Sequence, residues 1–335
     1  MRYHYIMRTS IFVLAPLAIL ATMIISVLYG AKDISPATIR AAIFHFDPDN
    51  MDHQIIVTSR LPRAVGALMI GAFLAVSGAI MQGMTRNYLA SPSIMGVSDG
   101  SIFVITLCMA LLPNSSSFDM ILYSLIGSAL GAGLVFGLAW LLPNGLSPVR
   151  MAILGTIIGT FLNGVAEAIA SYFQLSQSIS FWYNARLHQM DPAMIKLAVP
   201  FAVIGLGLAI ALSRSITVLS LGDDIAANLG QRTRLVKVLS LISVTLLCGV
   251  SVALAGKIAF VGLLVPHIVR YLVGIDYRFV IPASAIAGGL FLGWCDVASR
   301  FVNAPFETPI GVVTALLGVP FFLYLIKTKG GGKHA

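Results

Sequence analysis

A chain of 335 residues that is 58% hydrophobic and only 10% charged, with a mean hydropathy of +0.93, is not an ordinary water-soluble domain, which carries about 25% charged residues. The length holds about ten spans of roughly 20 apolar residues with short connections. The net charge of +8 would suggest nucleic acid in a soluble protein, but the cations lie mostly in loops between apolar runs, without aromatic interleaving, and read as a positive-inside bias.

Taken in chain order, apolar runs predict spans over 11–30, 64–84, 94–112, 120–142, 151–173, 193–213, 235–255, 258–273, 280–299 and 309–327, an all-α membrane protein forming a single transmembrane domain over 1–335. Arg2 and Arg8 precede the first run, which is too long for a typical signal-peptide core and is read as an uncleaved span. An even count places both termini on one side of the membrane. Cytoplasmic termini put thirteen of the 21 lysines and arginines inside and most acids outside.

Two loops exceed what connection requires. Residues 31–59 contain Ser35-Pro36 and the turn DPDN, and read as an external cap with one short helix. Residues 213–237 lie on the cytoplasmic side. There Gly222 and Gly230 bracket DDIAANL, a short polar helix with Asp223 and Asp224 in its first turn. This segment, which includes Ala227 and Leu229, is either a docking surface or a solvated loop.

The stretch ALAGKIAFVGLLVPHIVR (Ala253–Arg270) is an apolar run broken by Gly256, Gly262 and Pro266, with a lone cation at Lys257. In hydrocarbon a freed backbone group must find a partner inside the protein, and discontinuous helices of this kind line substrate paths in transporters. Ala75–Gly78 leading to Pro92 and Val252–Gly256 leading to Pro266 hint at a repeat of inverted topology.

Chemistry-bearing motifs are few. Gly256-Lys257 lacks the remaining P-loop positions, since 251 is Ser and 258 is Ile, so ATP chemistry would need another subunit. Asp223-Asp224 has no second acidic cluster, and His267 has no paired ligand, which argues against an intramembrane enzyme and against a metal or other cofactor. Cys108, Cys248 and Cys295 fall inside apolar runs and read as small core residues. Glu167 reads as the only acid deep inside a span, with Asn163, Ser171 and Gln174 on its helix face. That face suggests a water-lined path in preference to a buried structural hydrogen bond, and leaves a proton-driven carrier as an alternative. Arg60 and Arg63 in SRLPR, with Arg300 at another span edge, are either snorkelling cations or a socket for an acidic partner.

These blocks resemble one family. RLPR, GAFLAVSGAIMQGMTRNYLASPSIMGVSDG, Leu221–Gly230, ALAGKIAFVGLLVPHIVR, IPASA and ETPIGVVTALLGVPFFLYLI occur in the order found in FecCD/BtuC-like permeases of bacterial ABC importers for iron–siderophores, haem and vitamin B12. The resemblance runs from about Arg60 to the C-terminus, and TRNYLASPSIMGVSDG and PFFLYLI look closest to ferric-catecholate permeases. It implies a ten-helix subunit in the cell membrane, paired with an identical or sister permease, two cytoplasmic ATP-binding subunits and an extracellular substrate-binding lipoprotein. Within this resemblance Arg60, Arg63 and Arg300 match arginines that dock glutamates of the binding protein. Gly222 to Gly230 matches the coupling helix, and Ser147 and Pro148 the inner gate. The cargo would be a ferric siderophore, with haem or cobalamin as alternatives. Three positions depart from the pattern: Tyr88 and Lys257 stand where proline is usual, and Ala259 where glycine is. Lys257, with Arg186 and His188 on the facing loop, would favour an anionic cargo.

Overall fold

A computed structural model describes residues 2–30, 34–142, 148–183, 187, 190–303 and 306–330. Among them seven helices are long and apolar enough to cross a membrane, and three shorter apolar helices complete the ten runs expected from the sequence. The long ones are α1 (Arg2–Leu28), α4 (Leu61–Thr85), α6 (Ser117–Leu141), α7 (Pro148–Tyr172), α9 (Pro192–Leu219), α11 (Thr233–Ala255) and α13 (Tyr277–Ser299). The shorter ones are α5 (Val97–Leu111), α12 (Val261–Val273) and the stretch Ile310–Tyr324 of α14 (Ile310–Gly330), and α2 (Pro36–Phe44), α3 (Met51–Ile55), α8 (Ser176–Tyr183) and α10 (Asp223–Asn228) lie in the connections.

Residues 31–59 are more helical than expected. Ser35 accepts the N–H of Thr38 ahead of Pro36 to start α2, and Asn50 accepts those of Asp52 and His53 to start α3. A π-helical turn (Ile56–Arg60) then carries α3 directly into α4, so the second span begins well before position 64. The cap is held by apolar packing of Val27, Ile34, Ala42, Ile56 and Ala64, contacts that loop composition does not reveal.

α4 is the central post, packed on α13, α11, α12 and α9. Small residues allow this closeness. A Cβ on Gly71 would meet the carbonyl oxygen of Gly288 at 2.1 Å, and one on Gly78 would meet that of Gly262. α5 packs on α6 and α7, while α1 lies on α13 at the edge.

α5 and α12, of 15 and 13 residues, are about 22 and 20 Å long and cannot span a hydrocarbon core of about 30 Å alone. Each follows a long helix and an irregular return, residues 86–96 and 256–260, and each starts from a left-handed residue, Gly96 (φ 73°) and Phe260 (φ 69°). The repeated device gives the sequence hint of two related halves a structural form. Phe260, a bulky residue in a strained region, packs its ring on Gly318 of α14, where any side chain would collide with it.

Pro266 has no N–H to give the carbonyl of Gly262 four residues earlier. Gln82 of α4 supplies it: its Nε2 donates to the oxygens of Gly262 at 3.3 Å and Leu263 at 3.2 Å. Its Oε1 in turn accepts from Arg270 one turn further along α12. Gln82 thus fixes the broken helix to the central post.

Candidate translocation and coupling site

Lys257 in the irregular return before α12 forms an ion pair with Oδ1 of Asp99 in the first turn of α5. Asn163 of α7 donates to the same oxygen at 2.9 Å. The Asp99 side chain is 6% exposed and that of Lys257 29%, so the carboxylate is sealed and the ammonium partly open. Gly159, one turn before Asn163, leaves the space taken by Oδ2 of Asp99. On the other side of α5, Ser98 meets the buried Cys248 thiol of α11 at 3.4 Å.

Two expectations gain detail here. Besides Glu167, read as the only acid deep inside a span, two buried acids stand at helix ends, Asp99 in the first turn of α5 and Asp296 in the last turn of α13. Asp99 stands near the start of the run at 94, where an acid reads as a span edge, although its position inside a predicted span was a usable signal. Lys257 is not an isolated cation awaiting an anionic cargo, because Asp99 neutralises it inside the chain. Arg186 and His188 lie outside the described residues, as does Ser147. Pro148 opens α7, and its side chain is outside the described set.

Glu167 is exposed on α7. With Ala170, Ser176, Ile179 and Ser180 it lines a recess of about 340 Å³ between α7 and α8. Asn163, Glu167 and Ser171 follow at four-residue intervals, giving α7 a polar stripe beside an exposed apolar ridge of Ile153, Ile157 and Phe161.

The three arginines meet at one end of the bundle but are not open to solvent: Arg60, Arg63 and Arg300 are 6, 8 and 9% exposed. Arg60 donates to the carbonyls of Val27 (2.8 Å) and Leu28 (3.0 Å), the last turn of α1, where a cation complements the helix dipole. Arg300 donates to Ser26 O (2.6 Å) and Ser26 Oγ (2.9 Å), and pairs with the fully buried Asp296. Arg63 donates Nε to Asp296 (2.8 Å) and Nη1 to both oxygens of Glu307 (2.7 and 2.9 Å). Sequence reasoning placed the arginines together but missed Asp296, which holds two of them.

At the opposite end α10 stands between α9 and α11. Its flanking glycines take positive φ, 133° at Gly222 and 78° at Gly230, which other residues rarely adopt. Ala226 is buried, whereas Leu221, Ile225 and Leu229 are exposed at four-residue spacing. Asp224, Ala227 and Gly230 are also exposed, and Asp223 is tied to Lys237 of α11 at 2.8 Å. The short helix is thus tethered on one side and carries an exposed apolar ridge on the other. Nearby, the Asp276 carboxylate that caps α13 is held below the usual range by hydrogen bonds from Arg278.

Comparison with known proteins places this arrangement. The FecCD transport family matches residues 18–328. The chain is 62% identical over 324 residues to the iron-uptake system permease protein FeuB of Bacillus subtilis, covering 97% of each. It is 48% identical to the iron(3+)-hydroxamate import system permease protein FhuB of the same organism, over 92% of this chain and 80% of that one. Among solved structures, an inward-facing chain assigned to the metal-chelate type of ABC transporter superposes with a TM-score of 0.81 at 26% identity, over 96% of this chain and 99% of that one.

Proposed function

Because the chain belongs to the FecCD transport family, we propose that it is the membrane permease subunit of a binding-protein-dependent ABC importer that carries ferric siderophores of catecholate type across the cytoplasmic membrane. The observation that carries the reading is α10, a glycine-hinged helix with Leu221, Ile225 and Leu229 presented outward, in a chain that lacks a nucleotide-binding motif. The high identity to FeuB supports iron uptake, and TRNYLASPSIMGVSDG and PFFLYLI favour catecholate cargo over the hydroxamate named for FhuB.

In this reading a second permease chain covers the α7 face, and one of two cytoplasmic ATP-binding subunits grips α10. A substrate-binding lipoprotein docks at the arginine end. The chain makes and breaks no covalent bond; it offers two arrangements whose balance the partners shift. α10 transmits motion to α9 and α11, which it packs on. Docking at Arg63 is an exchange of carboxylates, in which Glu307, with a side chain 36% exposed, yields to a glutamate of the binding protein. Arg60 and Arg300 keep α1 fixed meanwhile.

The test is radio-iron uptake by cells with and without the chain, supplied with a ferric tris-catecholate, a ferric trihydroxamate or ferric citrate. Uptake is expected to require ATP, to survive an uncoupler while ATP is maintained, and to favour the tris-catecholate. Uptake that collapses with the uncoupler at constant ATP would replace the importer by a proton-driven carrier working through Glu167. A preference for trihydroxamate would keep the importer and remove the catecholate assignment.

A further inference from the structure

We propose that Lys257, Asp99 and Asn163 form a polar latch that closes the path in this state and has to open in each transport cycle. The proposal rests on the importer reading above. Three elements meet at one carboxylate. Asp99 belongs to the first turn of the half-helix α5, Lys257 to the irregular return feeding the half-helix α12, and Asn163 to α7, which packs mainly on α5 and α6. Asp99 lies flat against α7, its Oδ1 under Asn163 and its Oδ2 over Gly159, so a shift of α7 along α5 by a fraction of a turn breaks the contact.

The return at 256–260 is bounded by positive-φ residues, Gly256 (φ 72°) and Phe260 (φ 69°), and lies outside any helix. With no helical ladder of its own, it is positioned by the Lys257–Asp99 bond together with the packing of Ile258 and Phe260. The latch also stands beside the polar recess of α7. Ile179 of α8 lines both that recess, with Glu167, and the space beside Gly256, with Ile102, Ile105 and Val252. Both spaces end at Ile179, so displacing α8 would join them next to the return that carries Lys257.

The closed state is worth having only while all three groups are in place. A carboxylate sealed from water is strongly unfavourable once its cation leaves. The latch therefore opens as a unit, and gives the permease two discrete arrangements instead of a continuous range.

Cys248 is a native reporter, buried directly behind Ser98 on the far side of α5's first turn. The experiment uses the complete importer in lipid vesicles, with Cys108→Ser and Cys295→Ser so that Cys248 is the thiol followed in this chain. Labelling by N-ethylmaleimide is read from the Cys248 peptide. At rest labelling should be slow, and ATP with binding protein loaded with a ferric tris-catecholate should speed it about tenfold, within the usual range of coupling between two states. Asp99→Asn and Lys257→Met should each label fast at rest and hydrolyse ATP faster without binding protein. The exchange Asp99→Lys with Lys257→Asp should return both rates toward those of the parent.

Resting labelling and hydrolysis unchanged in assembled Asp99→Asn and Lys257→Met importers would overturn the latch and leave a static structural pair. Should neither variant assemble, Asn163→Ala, which keeps the ion pair and removes the Asn163 bond to Asp99, decides the matter: faster resting labelling supports the latch and an unchanged rate overturns it. Loss of the importer reading looks different, because the parent complex would then show no ATP-driven ferric-chelate uptake at all.

Discussion

Asp296 holds two guanidiniums, Arg63 and Arg300, with none of its own surface exposed, while Glu307 shares Arg63 at the rim. The two carboxylates should differ sharply on removal. Asp296→Ala leaves the buried Arg300 without its carboxylate, with Arg63 held by Glu307 alone, and is expected to cost about 3–5 kcal/mol. Glu307→Gln at a rim position should cost less than about 1 kcal/mol. Thermal unfolding of the purified permease compares them; equal losses would mean that Asp296 is not the keystone of the arginine end. At Lys257, the internal pairing with Asp99 predicts that Lys257→Met lowers uptake of ferric tris-catecholate and of neutral ferric trihydroxamate in the same proportion. A selective loss of the anionic chelate would show that the ammonium contacts cargo instead.

Single helices depend on side chains contributed by their neighbours. α12 begins where Pro266 has removed a backbone donor, and Gln82 of α4 replaces it. Gln82→Leu leaves the Gly262 carbonyl without that donor and Arg270 without its Gln82 acceptor, for an expected loss of about 1–3 kcal/mol. Gln82→Glu keeps an acceptor for Arg270 but loses the donor, so the two variants separate the contributions in a melting experiment. In the proposed reading α10 couples through its outer ridge. Leu229→Asp or Ile225→Asp should leave the permease folded, since both side chains are exposed, yet abolish co-purification of the ATP-binding subunit and uptake with it. Retained ATPase binding in both variants would move the coupling surface elsewhere.

At the scale of the molecule, the bundle is asymmetric in what it covers. α4 is enclosed by four helices, whereas α7 presents Ile153, Ile157 and Phe161 beside Glu167. Lipid suits the ridge but not the carboxylate, and a partner chain bordering a watered path suits both. Glu167→Gln should therefore retain ATP-driven uptake to within a few-fold in the radio-iron assay. Loss of uptake in the variant, with parent uptake that collapses under an uncoupler at constant ATP, would instead make Glu167 a proton carrier. The repeated device of long helix, irregular return and half-helix gives the same bundle two broken spans, with the Lys257–Asp99 pair joining the return of one to the half-helix of the other.

The ten apolar runs, the glycine-bracketed segment 222–230 and the broken character of Ala253–Arg270 were legible in the sequence, because each rests on local composition that hydrocarbon or a helix end demands. The extent of helix in 31–59 was not, because its caps act together with packing on α1 and α4. Nor were the partners of the charged groups: Asp99 lies 158 residues from Lys257 and Arg63 lies 233 from Asp296. Composition determines that a charge inside a membrane protein needs a counter-charge, while only the packing of distant helices decides which one it receives. For that reason the sequence located the arginines, Lys257 and Glu167, and the tertiary structure alone decided that Arg63, Arg300 and Lys257 are paired with acids of the chain, that Arg60 is bound to carbonyls of α1, and that Glu167 faces outward.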